Sequence, residues 1–427
     1  RHSREKYQLS TSQLPHYEGT VDMVASGAAY VKVEELESDI YVNQRNVNYA
    51  LEGDRVEVVL QRQALRAGDN PEGAITKVLE RSNKQYVGVA EVSRAAIFVR
   101  PDARKLPMDV FFPRKDNPQV KDGDKVVFRV SEWHEGLRSP RGVIVDVLGQ
   151  AGDNDAEMHA ILAEYDLPYR FEPEIEMAAE AIAAEITERD YAERRDFRDI
   201  TTFTIDPADA KDFDDAISYQ ILPSGNVEIG VHIADVTHYV PYRSTLDKEA
   251  FERGTSVYFP DRVLPMLPRA LSNGICSLNE NEDRLTLSCL MTIDKKGKVV
   301  DSEIVEGVIR SKCKLTYDEV TAILENDEQT CKKYAFITDM VGLFAKLTKI
   351  LQTAREKKGS VDLEVKEAKI LFDGESISIP AHEPSREFSH QIIEQFMVLA
   401  NETVAEYMQS IEAPFVYRVH EKPSEEK

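Results

Sequence analysis

The 427-residue sequence has only four cysteines and one tryptophan, and no apolar run approaches the length of a membrane helix. A spanning helix needs about 18 or more apolar residues in succession, so a helical membrane protein is excluded. Cys276, Cys289, Cys313 and Cys331 show neither CxxC nor histidine-linked metal spacing, which reads as reduced core or surface thiols and excludes a zinc site and a disulfide scaffold. No charged-then-apolar leader opens the sequence, and a soluble, cytoplasmic protein is predicted. Positive charge is also in short supply: 53 Lys and Arg face 76 Asp and Glu, for a net charge of −23. The first 150 residues are balanced, 22 against 22, so the whole deficit falls in residues 151–427, with 31 against 54. Taken alone, that total argues against nucleic-acid binding, although it leaves room for a local basic channel. The length calls for two to four domains.

Acid, by contrast, is concentrated. Asp206, Asp212, Asp214 and Asp215 fall within ten residues, with Asp209 among them. Thr202–Ile205 is β-prone before them and Ala216–Gln220 resumes alternation after them. The acids are therefore predicted on a loop between two strands, with Pro207 stiffening its start. Crowding this many carboxylates is costly unless cations neutralise them. Hard oxygen ligands in a tight loop suit Mg²⁺, which can grip a phosphate and activate a water. An EF-hand is excluded, because no Gly stands at loop position six and no Glu at position twelve. A solvated acidic turn is the alternative that the loop by itself leaves open.

The first part of the chain repeats itself. After an unpatterned lead-in over 1–16, Tyr17-Glu-Gly19-Thr-Val21 returns as Tyr86-Val-Gly88-Val-Ala90, and Gly53-Asp-Arg55-Val56 returns as Gly123-Asp-Lys125-Val126. Each copy offers five short β runs, which predicts two all-β barrels of the OB type over 17–84 and 85–150. Barrels of this kind bind single strands with stacking aromatics and nearby cations. Tyr30 and Tyr41 in the first copy and Phe98 and Phe111 in the second are the candidate RNA-binding aromatics; Arg100, Arg104, Lys105, Arg114 and Lys115 are candidate phosphate contacts. Alternation alone does not decide whether these aromatics face RNA or fill the barrel core.

Residues 151–195 read as a helical connector, with helices over Ala156–Tyr165 and Pro173–Thr187. From residue 196 onward, strands near Ile217–Gln220, Val227–His232 and Thr286–Ile293 mix with helical stretches. The helices are Ser244–Arg253, Tyr317–Leu324, Phe336–Glu356 and Phe388–Ser410, and their apolar stripes read as core. An α+β domain over 196–427 follows.

Four strings, RRDFRD (Arg194–Asp199), TIDPADAKDFDDA (Thr204–Ala216), VHIADVTHYV (Val231–Val240) and LPMLPRALSNGICSLNENEDRL (Leu264–Leu285), together resemble the RNB catalytic domain of the ribonuclease II and ribonuclease R exonucleases. The wording around Asp261 and Leu271–Leu278 is more similar to the ribonuclease R branch. The resemblance implies paired cold-shock-like barrels ahead of an RNB fold, and a Mg²⁺-dependent, processive 3′→5′ exoribonuclease that releases 5′-mononucleotides from single-stranded RNA. No small-molecule cofactor beyond one or two Mg²⁺ ions and no membrane partner are expected.

By the same resemblance Asp206, Asp212, Asp214 and Asp215 are the catalytic acids. Asp206 and Asp215 would bind Mg²⁺ directly, and Asp212 and Asp214 would complete the cluster around a second ion or the attacking water. Tyr258 would clamp bases, Tyr317 would pack the terminal nucleotide, and Glu394 would stand near the terminal ribose. Leu363 occupies the place of a second clamping aromatic. Core packing is the alternative for both tyrosines, and a solvated helix face for Glu394. His232 and His238 read as structural. The resemblance also implies that the sequence stops inside the RNB domain, without a Thr-Ser-Pro-Ile-Arg-Arg segment, a later Glu and an S1 barrel, so a piece inactive in hydrolysis is expected. An RNA-binding module or chaperone with a non-catalytic nuclease-like domain is the competing reading, and the intact four-Asp loop discriminates against it.

Overall fold

The computed structural model describes residues 14–63, 70–182, 186–259, 262–360, 371–372, 377–378 and 388–419. The expected lead-in falls mostly outside them, as does Leu363. The chain divides into two compact units, residues 1–169 and 170–427.

The first unit is built on the sequence repeat. Strands β1 (His16–Met23), β2 (Ala29–Lys32), β3 (Ile40–Val42), β4 (Arg55–Arg62) and β5 (Glu72–Glu80) close in the order β1-β2-β3-β5-β4. Strands β6 (Tyr86–Val92), β7 (Ala96–Pro101), β8 (Val110–Pro113), β9 (Asp124–Glu132) and β10 (Arg141–Gln150) close with the same connectivity. Val21, Val31, Ile40 and Val56 fill the first barrel, and Ile97, Val110, Phe112 and Phe128 the second. The repeated glycines have a physical reason. A Cβ at Gly19 would lie 2.4 Å from the Lys32 carbonyl oxygen, and one at Gly88 would lie 2.4 Å from that of Arg100. Only glycine lets the first two strands of each barrel approach so closely. Gly53 and Gly123 turn the chain at φ 79° and 81°. The acid after each is buried and accepts a backbone N–H three residues upstream, Leu51 to Asp54 and Lys121 to Asp124, both at 2.7 Å.

The barrels are clasped to each other. Arg81 donates to the Asp54 carboxylate and to the carbonyls of Tyr49 and Trp133, one from each barrel. Lys105 of the second barrel reaches Asp22 and Glu52 of the first, each at 3.0 Å. Helix α1 (Asn154–Glu164) lays Ala156, Ala160 and Ala163 on Val87, Val127 and Leu148 of the second barrel. The 151–195 stretch is therefore divided between the two units rather than standing alone.

The second unit begins with α2 (Pro173–Glu180) and α3 (Glu188–Glu193). The helix expected to run to Thr187 ends at Glu180, because Thr187 is the N-cap of α3 and forms a capping box with Asp190. The centre is a seven-stranded sheet. Its strands are β11 (Arg195–Asp196), β12 (Thr202–Asp206), β13 (Asp215–Ile221), β14 (Val227–Ala234), β17 (Asp283–Ile293), β18 (Val299–Arg310) and β19 (Cys313–Thr316), ordered β11-β18-β17-β14-β13-β12-β19. A small hairpin of β15 (Val257–Tyr258) and β16 (Val263–Leu264) stands apart, as does the pair β20 (Leu371–Phe372) and β21 (Ile377–Ser378).

Helices α6 (Tyr317–Leu324), α7 (Glu328–Lys333), α8 (Thr338–Lys357) and α9 (Phe388–Ser410) follow the main strands. One sheet face buries Phe203, Ile217, Val231 and Met291 against Val320, Phe344, Ile392 and Phe396 of α6, α8 and α9. Opposite it, Leu285 and Val308 pack with Ile175 of α2, with Tyr239 and Leu246 of α4 (Val236–Tyr239) and α5 (Thr245–Arg253), and with Leu271. Two barrels followed by an α+β domain is the architecture read from the sequence. Among the described residues the four cysteines are unpaired, and no helix is long and apolar enough to cross a membrane.

Candidate functional site

The acids lie where the strand pattern puts them. Asp206 ends β12, Asp215 opens β13, and Asp209, Asp212 and Asp214 stand on the loop between. Two elements pin this loop. The Ser277 hydroxyl accepts the Phe213 N–H at 3.0 Å and donates to the Lys211 carbonyl at 3.1 Å, while the Leu278 N–H reaches the Phe213 carbonyl at 2.8 Å. From β19, which runs parallel to β12, Lys314 donates to the Ala210 carbonyl at 2.9 Å and holds its ammonium 4.3 Å from the Phe213 ring centroid. On the other side, the Asp214 carbonyl accepts the Ala234 N–H at 3.0 Å.

The electrostatics are those of half-buried carboxylates held close to one another. Burial, then Asp206 and Asp214, push the Asp215 carboxyl up from 3.8 to about 6. Burial is also the main cause that raises Asp206 to about 6; the nearby Thr204 hydroxyl and then the Lys314 ammonium oppose it, and Asp214 and Asp212 add to it. Desolvation and Asp212 raise Asp214 as well, although its side chain keeps an exposed face. Among the described residues the Asp206 Oδ2 oxygen and the Thr204 hydroxyl are buried without a well-aligned hydrogen bond. A hard cation would give this oxygen a partner, and carboxylate donors are of the kind that would hold Mg²⁺. The four acids share one loop, yet among the described residues no three Asp, Glu, His or Cys side chains converge as a ready-made metal cage.

A stability prediction follows from the raised carboxyls. Their folded-state values lie above the ordinary 3.8. The stability they contribute is thus complete below about pH 4 and is lost as pH rises through about 6. Without divalent metal, Asp206→Asn and Asp215→Asn should each stabilise the protein at pH 7.5, by on the order of 1–2 kcal/mol after solvent screening. At pH 4 the gain should vanish. Denaturant melts in EDTA at the two pH values check this.

The substrate-contact candidates separate clearly. Tyr258 is 67% exposed on its hairpin, with its hydroxyl 3.5 Å from Asp212 Oδ2, so it is not a core residue. Tyr317 opens α6, half-buried; burial raises its phenol first, with Asp206 and Asp215 adding to the shift. No spacing in the sequence points to its neighbour. His390 stacks flat on Tyr317, centroids 3.8 Å apart at 16°, and its Nδ1 is buried without a partner among the described residues. Glu394 is half-buried one turn further along α9. His232 is fully buried, with Nε2 2.9 Å from Ser218 Oγ and Nδ1 2.8 Å from Ser288 Oγ; burial pushes it down to about 3. It is a structural histidine.

On the barrels, register excludes core packing for the four aromatics. Tyr30 pairs with Tyr41 across β2 and β3, centroids 5.5 Å apart, and Phe98 pairs with Phe111 across β7 and β8, centroids 5.7 Å apart. Their sequence neighbours Val31, Ile40, Ile97 and Phe112 point into the cores, so all four aromatics lie on the outer faces at equivalent positions. Asp22 and Glu72 stand opposite Tyr30 and Tyr41, while Glu91 stands opposite Phe98 and Arg141 opposite Phe111. The charges on both faces are paired, Asp22 with Lys32 and Lys105, Arg100 with Glu91 and Arg141 with Glu132; Phe98 is the one exposed ring of the four. Two phosphate-contact candidates are corrected. Lys105 is held by Asp22 and Glu52, and Arg114 by the carbonyls of Asn117 and Val120.

Residues 194–427 match the RNB domain, residues 19–78 the Ribonuclease B OB domain and residues 98–172 the Cold shock domain. Ribonuclease R of Thermotoga maritima is 40% identical over 430 residues, covering 100% of this chain and 60% of that protein. Ribonuclease R 1 of Lactococcus lactis subsp. lactis is 37% identical over 416 residues, covering 94% of this chain and 51% of that protein. Among solved structures, Mycoplasma genitalium RNase R in complex with ribose methylated single-stranded RNA is similar at TM-score 0.79 and 27% identity, covering 96% of this chain and 64% of that one. The chain thus spans 51–60% of the length of these two curated relatives.

Proposed function

The chain belongs to the RNB family, and from that premise we propose that it carries the acidic site of a Mg²⁺-dependent 3′→5′ exoribonuclease that hydrolyses single-stranded RNA to nucleoside 5′-monophosphates. The observation that carries the proposal is the pinned loop, which holds Asp206 and Asp215 half-buried beside Asp212 and Asp214, so that burial and mutual repulsion raise both carboxyls. Nothing in a merely solvated acidic turn calls for such desolvation.

Asp206 and Asp215 are proposed as the direct Mg²⁺ ligands, with Asp212 and Asp214 completing the charge. When bound, Mg²⁺ supplies Lewis-acid neutralisation of the phosphate and lowers the pKa of a water. The protein's own groups do the rest. Ser277 and Lys314 keep the loop from relaxing away from the substrate. Tyr317, held flat by His390, presents one ring face for the 3′-terminal base, and Tyr258, exposed beside Asp212, offers a second aromatic surface. Glu394 can accept from a ribose 2′-hydroxyl, a preference for RNA over DNA. The outer pairs Phe98/Phe111 and Tyr30/Tyr41 are proposed as stacking faces for the incoming strand, the former the stronger because Phe98 is the one exposed ring of the four. A cytoplasmic setting, where unpaired thiols persist, is part of the proposal.

The test is product identity. In a protein carried to the full length of its curated relatives, chromatography of an unstructured RNA digested with Mg²⁺ should yield nucleoside 5′-monophosphates, and EDTA should abolish their release; the 427-residue chain alone should release almost none. Nucleoside 3′-monophosphates, or release indifferent to EDTA, would overturn the proposal.

A further inference from the structure

Between the two barrels of the first unit lies a cavity of about 540 Å³, within the range of small-ligand sites. Barrel one lines it with the 44–51 segment, and barrel two with Lys105, Met108 and Trp133. We propose that this cavity binds a single nucleotide, with its base against Tyr49 and Trp133 and its phosphate at Arg45. The site is separate from the outer aromatic faces and from the acidic loop.

Three observations converge on that chemistry. First, the Tyr49 and Trp133 rings meet edge-to-face, centroids 5.2 Å apart at 83°, so a flat aromatic ligand can stack on one ring while meeting the edge of the other. Val47, Ile75 and Met108 add apolar lining suited to a base. Second, the cations around the cavity are not equivalent. Lys105 is neutralised by Asp22 and Glu52, whereas the guanidinium of Arg45, which is exposed, has no partner among the described residues. One uncommitted guanidinium matches one phosphate, and its planar fork suits phosphate oxygens. Third, the walls are fixed in advance. Arg81 ties the Tyr49 and Trp133 carbonyls together across the barrels. Asn48 and Tyr49 hold successive left-handed conformations, φ 50° and 63°, which side-chain-bearing residues rarely adopt. A site whose walls are already ordered loses little entropy on binding.

Such a nucleotide can arrive free or as one unit of an RNA strand, and one experiment separates the two. Trp133 is the only tryptophan in the chain, so its fluorescence reports occupancy of this cavity. The protein is titrated in EDTA, where hydrolysis plays no part, with adenosine 5′-monophosphate, adenosine and hexa-adenylate. Saturable change with the monophosphate identifies a free-nucleotide site, and change with the hexamer alone identifies a strand-unit site. In either case Arg45→Ala should weaken binding of the responding ligand by about tenfold while leaving any adenosine response unchanged, and Phe98→Ala should leave the monophosphate response intact. The inference fails if neither phosphate ligand moves Trp133 up to about 10 mM, or if the response is indifferent to Arg45→Ala. Because no metal or turnover is involved, that failure is distinct from failure of the exonuclease reading.

Discussion

In a protein carried to the full length of its relatives, Asp214→Asn is expected to lower RNA hydrolysis by about 10²–10³-fold while leaving RNA affinity within about twofold of wild type. The carboxylate stands at an exposed face of the loop, and the backbone that positions it is held through Phe213, Ser277 and the Ala234 N–H. Asparagine keeps the shape and removes the charge, so the loop should stay in place and lose only its contribution to metal and transition state. Single-turnover rates and equilibrium binding, measured side by side, check the split. Equal losses in both would assign Asp214 to RNA binding instead of chemistry.

Removing Phe98 and Phe111 together should weaken single-strand binding by about 10–100-fold, since each stacked base contributes about 1–3 kcal/mol. The Tyr30→Ala, Tyr41→Ala pair should cost less, because Phe98 is the one exposed ring of the four and offers more stacking surface. Filter binding at two salt concentrations distinguishes the effects. The residual affinity of the phenylalanine variant should keep most of its salt dependence, because its cations remain. Equal losses from both pairs would show that the greater exposure of Phe98 is immaterial.

The barrels were legible because they repeat and alternate: the spacing of Gly19 and Gly53 recurs at Gly88 and Gly123, and the strands fall where the β runs do. Which way Tyr30 or Phe98 faces was not legible, since that depends on register against a partner strand. The α2 boundary was misplaced although its signal was present, Thr187 with Asp190 three residues on. β18 left no trace because most of its residues are exposed and polar ones interrupt the alternation. The four acids and both tyrosines could be carried over residue by residue from resemblance. Ser277, Lys314 and His390 could not be found from spacing. They act on the loop or on Tyr317 from 64, 104 and 73 residues away, so only the folded sheet and helices bring them in.

The central claim is that the Asp206–Asp215 loop is a divalent-metal site, and calorimetric titration of the metal-free protein with Mg²⁺ at pH 6 and pH 7.5 tests it most directly. Because Asp206 and Asp215 titrate near 6, Mg²⁺ must displace protons at the lower pH. The account predicts tighter binding at pH 7.5 than at pH 6, a buffer-dependent heat from proton release at pH 6, and loss of both in Asp206→Asn. Pronounced binding that is independent of pH and unchanged in Asp206→Asn, or no binding at all at millimolar Mg²⁺, would contradict it.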